Sequence, residues 1–236
     1  MECYGKRTAT FIILGRNCTR NCTFCNASRE LPDPVDPLEP THVARAVVRS
    51  LNLRHAVVTS VTRDDLPDQG AGQFAACLRE LRAQCPDTTV ELLIPDMQGR
   101  EDLLDIILAE RPDVLNHNVE TVPSLYHKVR PQADFERSLA VLRYAKRKGF
   151  KTKSGIMVGL GEREDEVVAV MERLREGDCD MLTVGQYLQP TAQHIAVYEY
   201  VTPETFEFYR TKALELGFAR VASGPFVRSS YKAEAL

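Results

Sequence analysis

The chain has 236 residues, of which 44% are hydrophobic and 27% charged, and its net charge is −3 from 30 Lys and Arg against 33 Asp and Glu. This is a globular composition. It excludes a disordered chain, a collagen and a low-complexity linker, and the charge balance argues against a strongly basic nucleic-acid binder. The longest apolar runs resemble Phe11-Ile12-Ile13-Leu14, far short of the ~18 residues that span a bilayer. The opening MECYGKRTAT carries no apolar secretion signal. Seven cysteines, an odd number in a chain this long, point to a reducing, cytoplasmic setting with free or metal-bound thiolates.

Along the chain, short β-branched segments alternate with amphipathic ones. The first strand is predicted over 9–14. After it, Thr41 is placed as the N-cap of a helix whose Val43, Ala44, Val47, Val48 and Leu51 share a face. Strands follow over 56–61, 89–94 and 114–119. Asp134 then opens a helix that carries Phe135, Leu139 and Leu142 on one face. The last strands are predicted over 152–160, 181–187 and 220–223. Gly149, Gly177 and Gly217 are placed as left-handed closures of the helices before them. Several strands are nearly unbroken apolar runs, as in parallel sheets buried on both faces. The alternation predicts an α/β fold with a parallel sheet. No GxGxxG follows the first strand, so a (β/α) barrel, complete or partial, is favoured over a dinucleotide-binding sheet.

In such a barrel the chemistry sits on loops after the strands. The unusual residues fall there. Cys18, Cys22 and Cys25 follow the first strand. Thr59-Ser60-Val61-Thr62-Arg63-Asp64-Asp65 ends the second, and Pro95-Asp96 the third. Asn116-His117-Asn118-Val119-Glu120 ends the fourth, Gly159-Leu160-Gly161-Glu162 the fifth, and Gln186-Tyr187-Leu188 the sixth. Arg63, Asp64 and Asp65 read either as ligands or as a salt-bridged clamp of their loop. His117 reads as a structural histidine, and Cys77, Cys85 and Cys179 as plain thiols in or near helices.

The spacing C-x3-C-x2-C at Cys18, Cys22 and Cys25 arises by chance roughly 0.006 times in a chain of this composition. Three thiolates on one tight loop hold three corners of a metal centre. A structural zinc takes four protein ligands, and no fourth local Cys or His is at hand. An iron–sulfur cluster tolerates an iron that a substrate or cofactor completes.

This loop after the first strand resembles the radical S-adenosylmethionine (SAM) superfamily. Within it the chain resembles the lipoyl synthase family along nearly its whole length, in ATFIILGRNCTRNCTFC, VVTSVTRDDLPDQGA, VELLIPD, LNHNVETVPSLYHKVRP, TKSGIMVGLGE, LTVGQYLQPT and VASGPFVRSSY. The resemblance implies a single domain over 1–236, a partial (β/α)6 TIM-like barrel, with a C-terminal strand and tail over 219–236. It implies a 4Fe–4S cluster on Cys18, Cys22 and Cys25 with SAM at its open iron. The reaction is radical insertion of two sulfur atoms at C6 and C8 of an octanoyl chain on a lysine of a carrier protein. Thr59, Ser60, Asn118 and Glu120 are candidates for the polar groups of SAM, Gly155 to Gly161 including Gly159 for close backbone approach, and Leu188 for cover of the adenine. Phe24 either shields the cluster or simply packs. Partners implied are the octanoylated carrier, a low-potential electron donor such as ferredoxin or flavodoxin, and an iron–sulfur carrier.

The family also has an N-terminal C-x4-C-x5-C motif for an auxiliary 4Fe–4S cluster that donates the sulfur. Of it only Cys3 is present, in a remnant over 1–7. The unusual serine ligand of that cluster maps to Ser230 in Arg228-Ser229-Ser230-Tyr231, with Ser229 as the close second. Either the natural start lies upstream of Met1 or the chain is a shortened paralogue that binds SAM or the carrier without turnover. Retained Cys3 and Ser230 favour the first. The expectation is that the chain as written cleaves SAM without completing the lipoyl group. A biotin-synthase-like sulfur inserter is the alternative enzyme; TSVTRDD and RSSY argue against it.

Overall fold

The computed structural model describes residues 7–47 and 53–230; Cys3 and Tyr231 lie outside the described residues. Seven strands run β1 Thr8–Ile13, β2 His55–Ser60, β3 Thr89–Leu93, β4 Val114–Asn116, β5 Thr152–Val158, β6 Met181–Gln186 and β7 Arg220–Gly224. Between them lie α1 Glu39–Arg45, α2 Ala71–Gln84, α3 Glu101–Leu108, α4 Phe135–Arg147, α5 Glu164–Glu176 and α6 Pro203–Glu215. The sheet is wholly parallel and follows chain order from β1 to β7, with β1 and β7 each paired on one side. The expected six strand–helix units are present, and a seventh strand extends the sheet. The arrangement is a partial barrel.

Alternation along the strands separates two faces. Ala56, Val58, Val90, Leu92 and Leu115 pack under the helices in one apolar cluster. Ile156, Val158, Leu182 and Val184 do so in a second, with α4, α5 and α6. The opposite parity faces the concave side. There Glu91 of β3 and Lys153 of β5 meet at 3.0 Å across β4, a contact open only to side chains on the inner face.

β4 is shorter than the predicted 114–119. The His117 N–H still donates to the Lys153 carbonyl at 3.1 Å, but the Val119 N–H turns to the Ser154 hydroxyl at 3.3 Å. The chain rejoins β5 at Glu120, whose N–H donates to the Gly155 carbonyl at 3.0 Å and whose carbonyl accepts from Met157 at 2.8 Å. Glu120 adopts φ 66 to do so, a conformation that carries strain in a non-glycine residue. The strand thus opens where Asn118 and Glu120 stand.

The helix ends match the sequence reading in part. The Asp134 side chain accepts the Arg137 N–H and caps α4. Thr41 is inside α1, which starts at Glu39 with Pro40 in its first turn; Pro suits that position because its missing N–H has no helical partner there. Gly149 and Gly217 are left-handed at φ 87 and 94, but Gly177 has φ −92 and the left-handed residue is Asp178 at φ 55. These glycines should therefore respond differently to alanine. A Cβ at Gly149 meets nothing within 4 Å, so Gly149→Ala should cost the backbone penalty of about 1 kcal/mol. A Cβ at Gly177 needs no left-handed backbone but would fall 2.8 Å from Arg143 Cγ and 3.4 Å from the Leu174 carbonyl oxygen, so Gly177→Ala should cost only the shift of the Arg143 side chain, about 0.5 kcal/mol. Chemical denaturation of the two variants checks the order.

Candidate functional site

The cysteine loop leaves β1 and is tied down on every side. The Cys18 N–H donates to the Ser28 carbonyl at 2.7 Å and the Thr19 N–H to the Thr62 carbonyl at 3.1 Å. The Thr23 N–H donates to Val129 at 3.0 Å, and the Thr23 carbonyl accepts from Ile195 at 3.1 Å. The His194 Nε2 lies 3.1 Å from the Cys25 carbonyl. Loops after β2, β4 and β6 therefore all hold this segment.

Its strongest anchor is Arg20, between Cys18 and Cys22. The side chain is buried and its guanidinium forks onto two carboxylates. Nε and Nη2 donate to Asp64 at 2.7 and 2.9 Å, and Nη1 and Nη2 donate to Asp96 at 2.9 and 2.7 Å. Arg137 reaches Asp96 at 3.3 Å. Burial opposes the charges, but the Arg20 hydrogen bonds and charge win and hold the Asp96 carboxyl down at about 2. Asp64 is held below the ordinary carboxylate range in the same way, against its burial. Asp96 also caps a turn in which Met97 and Gln98 take φ 46 and 47, strain that its hydrogen bond to the Gln98 N–H at 3.1 Å helps sustain. Within the loop after β2, Arg63 forks onto Asp65 at 2.9 Å while Asp64 faces Arg20. The triplet is a clamp rather than one cluster.

Cys18, Cys22 and Cys25 are half-buried, whereas Cys77, Cys85 and Cys179 are buried. Burial pushes the Cys22 thiol up, Arg130 opposes it, and Cys25, Glu120 and Cys18 add to it. Burial also pushes Cys25 up, with Cys18 and Glu120 adding to it. The three thiols therefore feel one another and share their surroundings with Glu120 and Arg130. Among the described residues no three His, Cys, Asp or Glu close around a single-ion site. Three half-buried thiols on one firmly held loop fit an iron–sulfur cluster, which binds thiolates at its separate corners.

A cavity of about 210 Å³ opens beside this loop. Phe24, Asn118, Glu120, Gly155, Leu188 and Ser229 are among its walls. Asn118, Glu120 and Leu188 are thus brought together as the sequence suggested. Thr59, Ser60, Gly159 and Ser230 are not among the walls. The Thr59 hydroxyl donates to the Leu93 carbonyl at 2.9 Å. Ser60 has the parity of the helix-packed Ala56 and Val58, and its buried hydroxyl has no partner. At Gly159 a Cβ would fall 2.2 Å from Gln186 Nε2, so its close approach is to the loop after β6. Ser230 is half-buried after Ser229. Phe24 both walls the cavity and packs with Val129, Leu160 and Tyr187.

The Asn118 amide donates to the Glu120 carboxylate at 3.1 Å, and the Asn118 Oδ1 is buried without a partner. Burial raises the Glu120 carboxyl against the pull of Arg130. Arg130 itself is buried; its Nη1 donates to the Asn118 and Val119 carbonyls at 3.1 and 3.2 Å, and its Nε has no partner. His117 donates from Nδ1 to the Ile94 carbonyl, 2.8 Å away, and burial with the nearby Arg130 lowers its pKa to about 4. It is a neutral structural ring at pH 7. Sequence reasoning missed Arg20 and Arg130 as site residues. A charged residue inside a tight C-x3-C loop, with acidic residues at two neighbouring strand ends, was the available signal for Arg20.

Three comparisons bear on this rim. The radical SAM superfamily profile matches residues 12–174. The chain is 56% identical over 99% of its length to the lipoyl synthase of Caldanaerobacter subterraneus subsp. tengcongensis, covering 82% of that protein. It is also 56% identical over 99% of its length to the lipoyl synthase of Chlorobaculum parvum, covering 80%. The structure of Streptococcus suis SuiB bound to S-adenosylmethionine superposes with a TM-score of 0.74 at 10% identity, over 96% of this chain and 52% of that one. At that identity the likeness speaks for the fold alone. Sequence identity above one half along nearly the whole chain, on a fold with the cysteine loop at its rim, makes this chain a member of the lipoyl synthase family within the radical SAM superfamily.

Proposed function

We propose that the chain inserts sulfur into an octanoyl group held on a lysine of a carrier protein, at C6 and C8, to form the lipoyl group. The observation that carries this reading is the C-x3-C-x2-C loop itself, pinned beside the cavity that Asn118 and Glu120 share. Membership of the superfamily implies a 4Fe–4S cluster and SAM. When bound, they supply the one-electron chemistry that breaks an unactivated C–H bond, which no side chain here is acidic, basic or nucleophilic enough to break.

The residues of the chain do the rest. Cys18, Cys22 and Cys25 would hold the cluster, and Arg20 keeps their loop in register with the strand ends. Asn118 offers an unpaired buried amide oxygen and Glu120 a half-buried carboxylate, acceptors suited to the ammonium and hydroxyl groups of SAM. Leu188 and Phe24 give apolar cover on two sides of the cavity. Gly155 leaves the floor of the cavity open, since a Cβ there would stand 2.7 Å from the Thr183 hydroxyl and 2.8 Å from Asn118 Oδ1. Thr59, Ser60 and Gly159 act at one remove, through the strand ends that carry the site. Cys3 and Ser230 are assigned to the auxiliary, sulfur-donating cluster, and the position of Ser229 in the cavity wall supports the tail's nearness to the chemistry. A ferredoxin or flavodoxin would deliver the electron, and an iron–sulfur carrier would rebuild the consumed cluster.

Anaerobic reconstitution of the chain should yield iron and sulfide that the triple variant C18A/C22A/C25A fails to bind, and reductive SAM cleavage should vanish with them. Undiminished cleavage in the folded triple variant would overturn the assignment. The Arg20 anchor has its own signature in the metal-free protein. Asp96 has a folded pKa of about 2 against the ordinary carboxylate value of 3.8. Its contribution is therefore fully present above pH 4 and is lost as pH falls toward 2, a change of about 2 kcal/mol. Denaturation across that range should show the acid loss in the wild type and a flatter response in Asp96→Asn.

A further inference from the structure

Between β6 and α6 the chain runs over 187–202 with neither helix nor strand. Loops longer than about 12–15 residues without structure of their own are uncommon in compact domains, and those that are well held are usually functional. This one crosses the cysteine loop as a strap. Leu188 at its root borders the cavity of about 210 Å³. Beyond it, two consecutive residues donate to the two carbonyls that flank Phe24. The Ile195 N–H donates to Thr23 at 3.1 Å, and the half-buried His194 donates from Nε2 to Cys25 at 3.1 Å. Phe24, Ile195 and Val197 pack against one apolar cluster of Val129, Leu160 and Tyr187. The Tyr187 hydroxyl donates to the Ile195 carbonyl at 2.7 Å, and the Gln189 amide to the His194 carbonyl at 2.9 Å. The strap is thus tied to its own root where it grips the loop.

A carbonyl only accepts, so His194 Nε2 carries a proton, and Nδ1 is the end oriented by the Thr191 hydroxyl, 2.8 Å away. The His194 N–H closes the local turn onto the Thr191 carbonyl at 3.1 Å. That turn is complete without the ring, whose Nε2 reaches a residue 169 positions away instead. At Cys25 this reach has a chemical consequence. The Cys25 N–H closes the turn onto the Cys22 carbonyl at 3.2 Å, and the backbone N–H of Ala27 hydrogen-bonds the Cys25 thiol. Between the two lies the carbonyl that His194 holds, so His194 fixes the peptide plane on which the Ala27 bond to sulfur depends. Hydrogen bonds to the sulfurs help set the potential of an iron–sulfur cluster. Partners that orient a ligand without touching the metal change metal affinity about 10–100-fold. We propose that His194 is a positioning residue for the cluster: it locks Cys25 so that the sulfur keeps the Ala27 N–H, and thereby sets how firmly and at what potential the cluster is held. The inference rests on the cluster reading above and adds a residue from the loop after β6.

The test compares H194A and H194Q with the wild type after anaerobic reconstitution with iron and sulfide. Glutamine returns an N–H donor near the place of Nε2, and alanine returns none. H194A should lose iron to a chelator about tenfold faster than the wild type. Its cluster, titrated without SAM and read by EPR, should show a reduced-to-oxidised ratio about threefold lower at a fixed potential. H194Q should bring both readouts back to within about twofold of the wild type. The metal-free H194A should keep the wild-type denaturation midpoint, which separates positioning of Cys25 from a general loosening of the fold. Unchanged iron release and potential in H194A overturn the proposal, as does an H194Q that behaves like H194A or a metal-free H194A that unfolds early. Should the wild type itself bind no iron and sulfide, the cluster reading fails and the proposal falls with it.

Discussion

Everything at the rim hangs on one buried guanidinium. The segment that bears Cys18, Cys22 and Cys25 is neither helix nor strand, so the periodic hydrogen bonding that fixes the rest of the chain does not reach it. Arg20 replaces that ladder with four bonds of 2.7 to 2.9 Å to two carboxylates from two other strand ends. Two acids against one base would leave a buried negative charge. Arg137, at 3.3 Å from Asp96, balances it. A planar fork suits this task where an ammonium would not, because both carboxylates are met edge-on by one rigid group. The result is a nearly neutral brace beneath the thiols, firm without imposing a net field on them.

The same economy separates stability from function across the sheet. The apolar clusters that hold the fold lie outside the sheet, under the helices. Larger barrels fill their interior with branched apolar layers. Here the inner face mixes Val57, Leu93 and Met157 with Gly155, Thr183 and Gly185, and carries the buried Glu91, Asn116 and Lys153 as well. Replacing a buried pair by apolar residues is often neutral or stabilising, so stability alone gives no reason to keep Lys153.

The sequence made the architecture legible because periodicity is local. All seven strands lie where alternating apolar runs put them, and the residues at their C-terminal ends gather on one rim. What failed were features that depend on partners distant in sequence. The predicted strand 114–119 overran because Val119 finds a side-chain partner, Ser154, that a single-strand pattern does not reveal. Thr59 and Ser60 looked equivalent as polar neighbours, yet strand parity sends them to opposite faces. Gly177 looked like Gly149, but Asp178 takes the left-handed turn in its stead. Arg20 and Asp96 are 76 positions apart and Glu91 and Lys153 are 62 apart. Each is unremarkable in its own window, and only the parallel register makes it half of a pair.

The barrel's open seam explains how its two most distant segments come to serve one cavity. Because β1 and β7 do not pair, Ile12, on the inner face of β1, is left 66% exposed. Over 225–230 the chain after β7 folds back over the rim. It lies against β6 so closely that a Cβ at Gly185 would fall 2.3 Å from the Val227 carbonyl oxygen; glycine is the one residue that permits this approach. Arg228 then hooks the segment through Nη1 to the Val227 carbonyl at 2.7 Å and the Gln186 carbonyl at 3.4 Å. With those contacts made, Ser229 enters the wall of the same cavity as Phe24. A closed barrel would have barred that path, so the missing strand pair is what lets the tail and the cysteine loop share a wall.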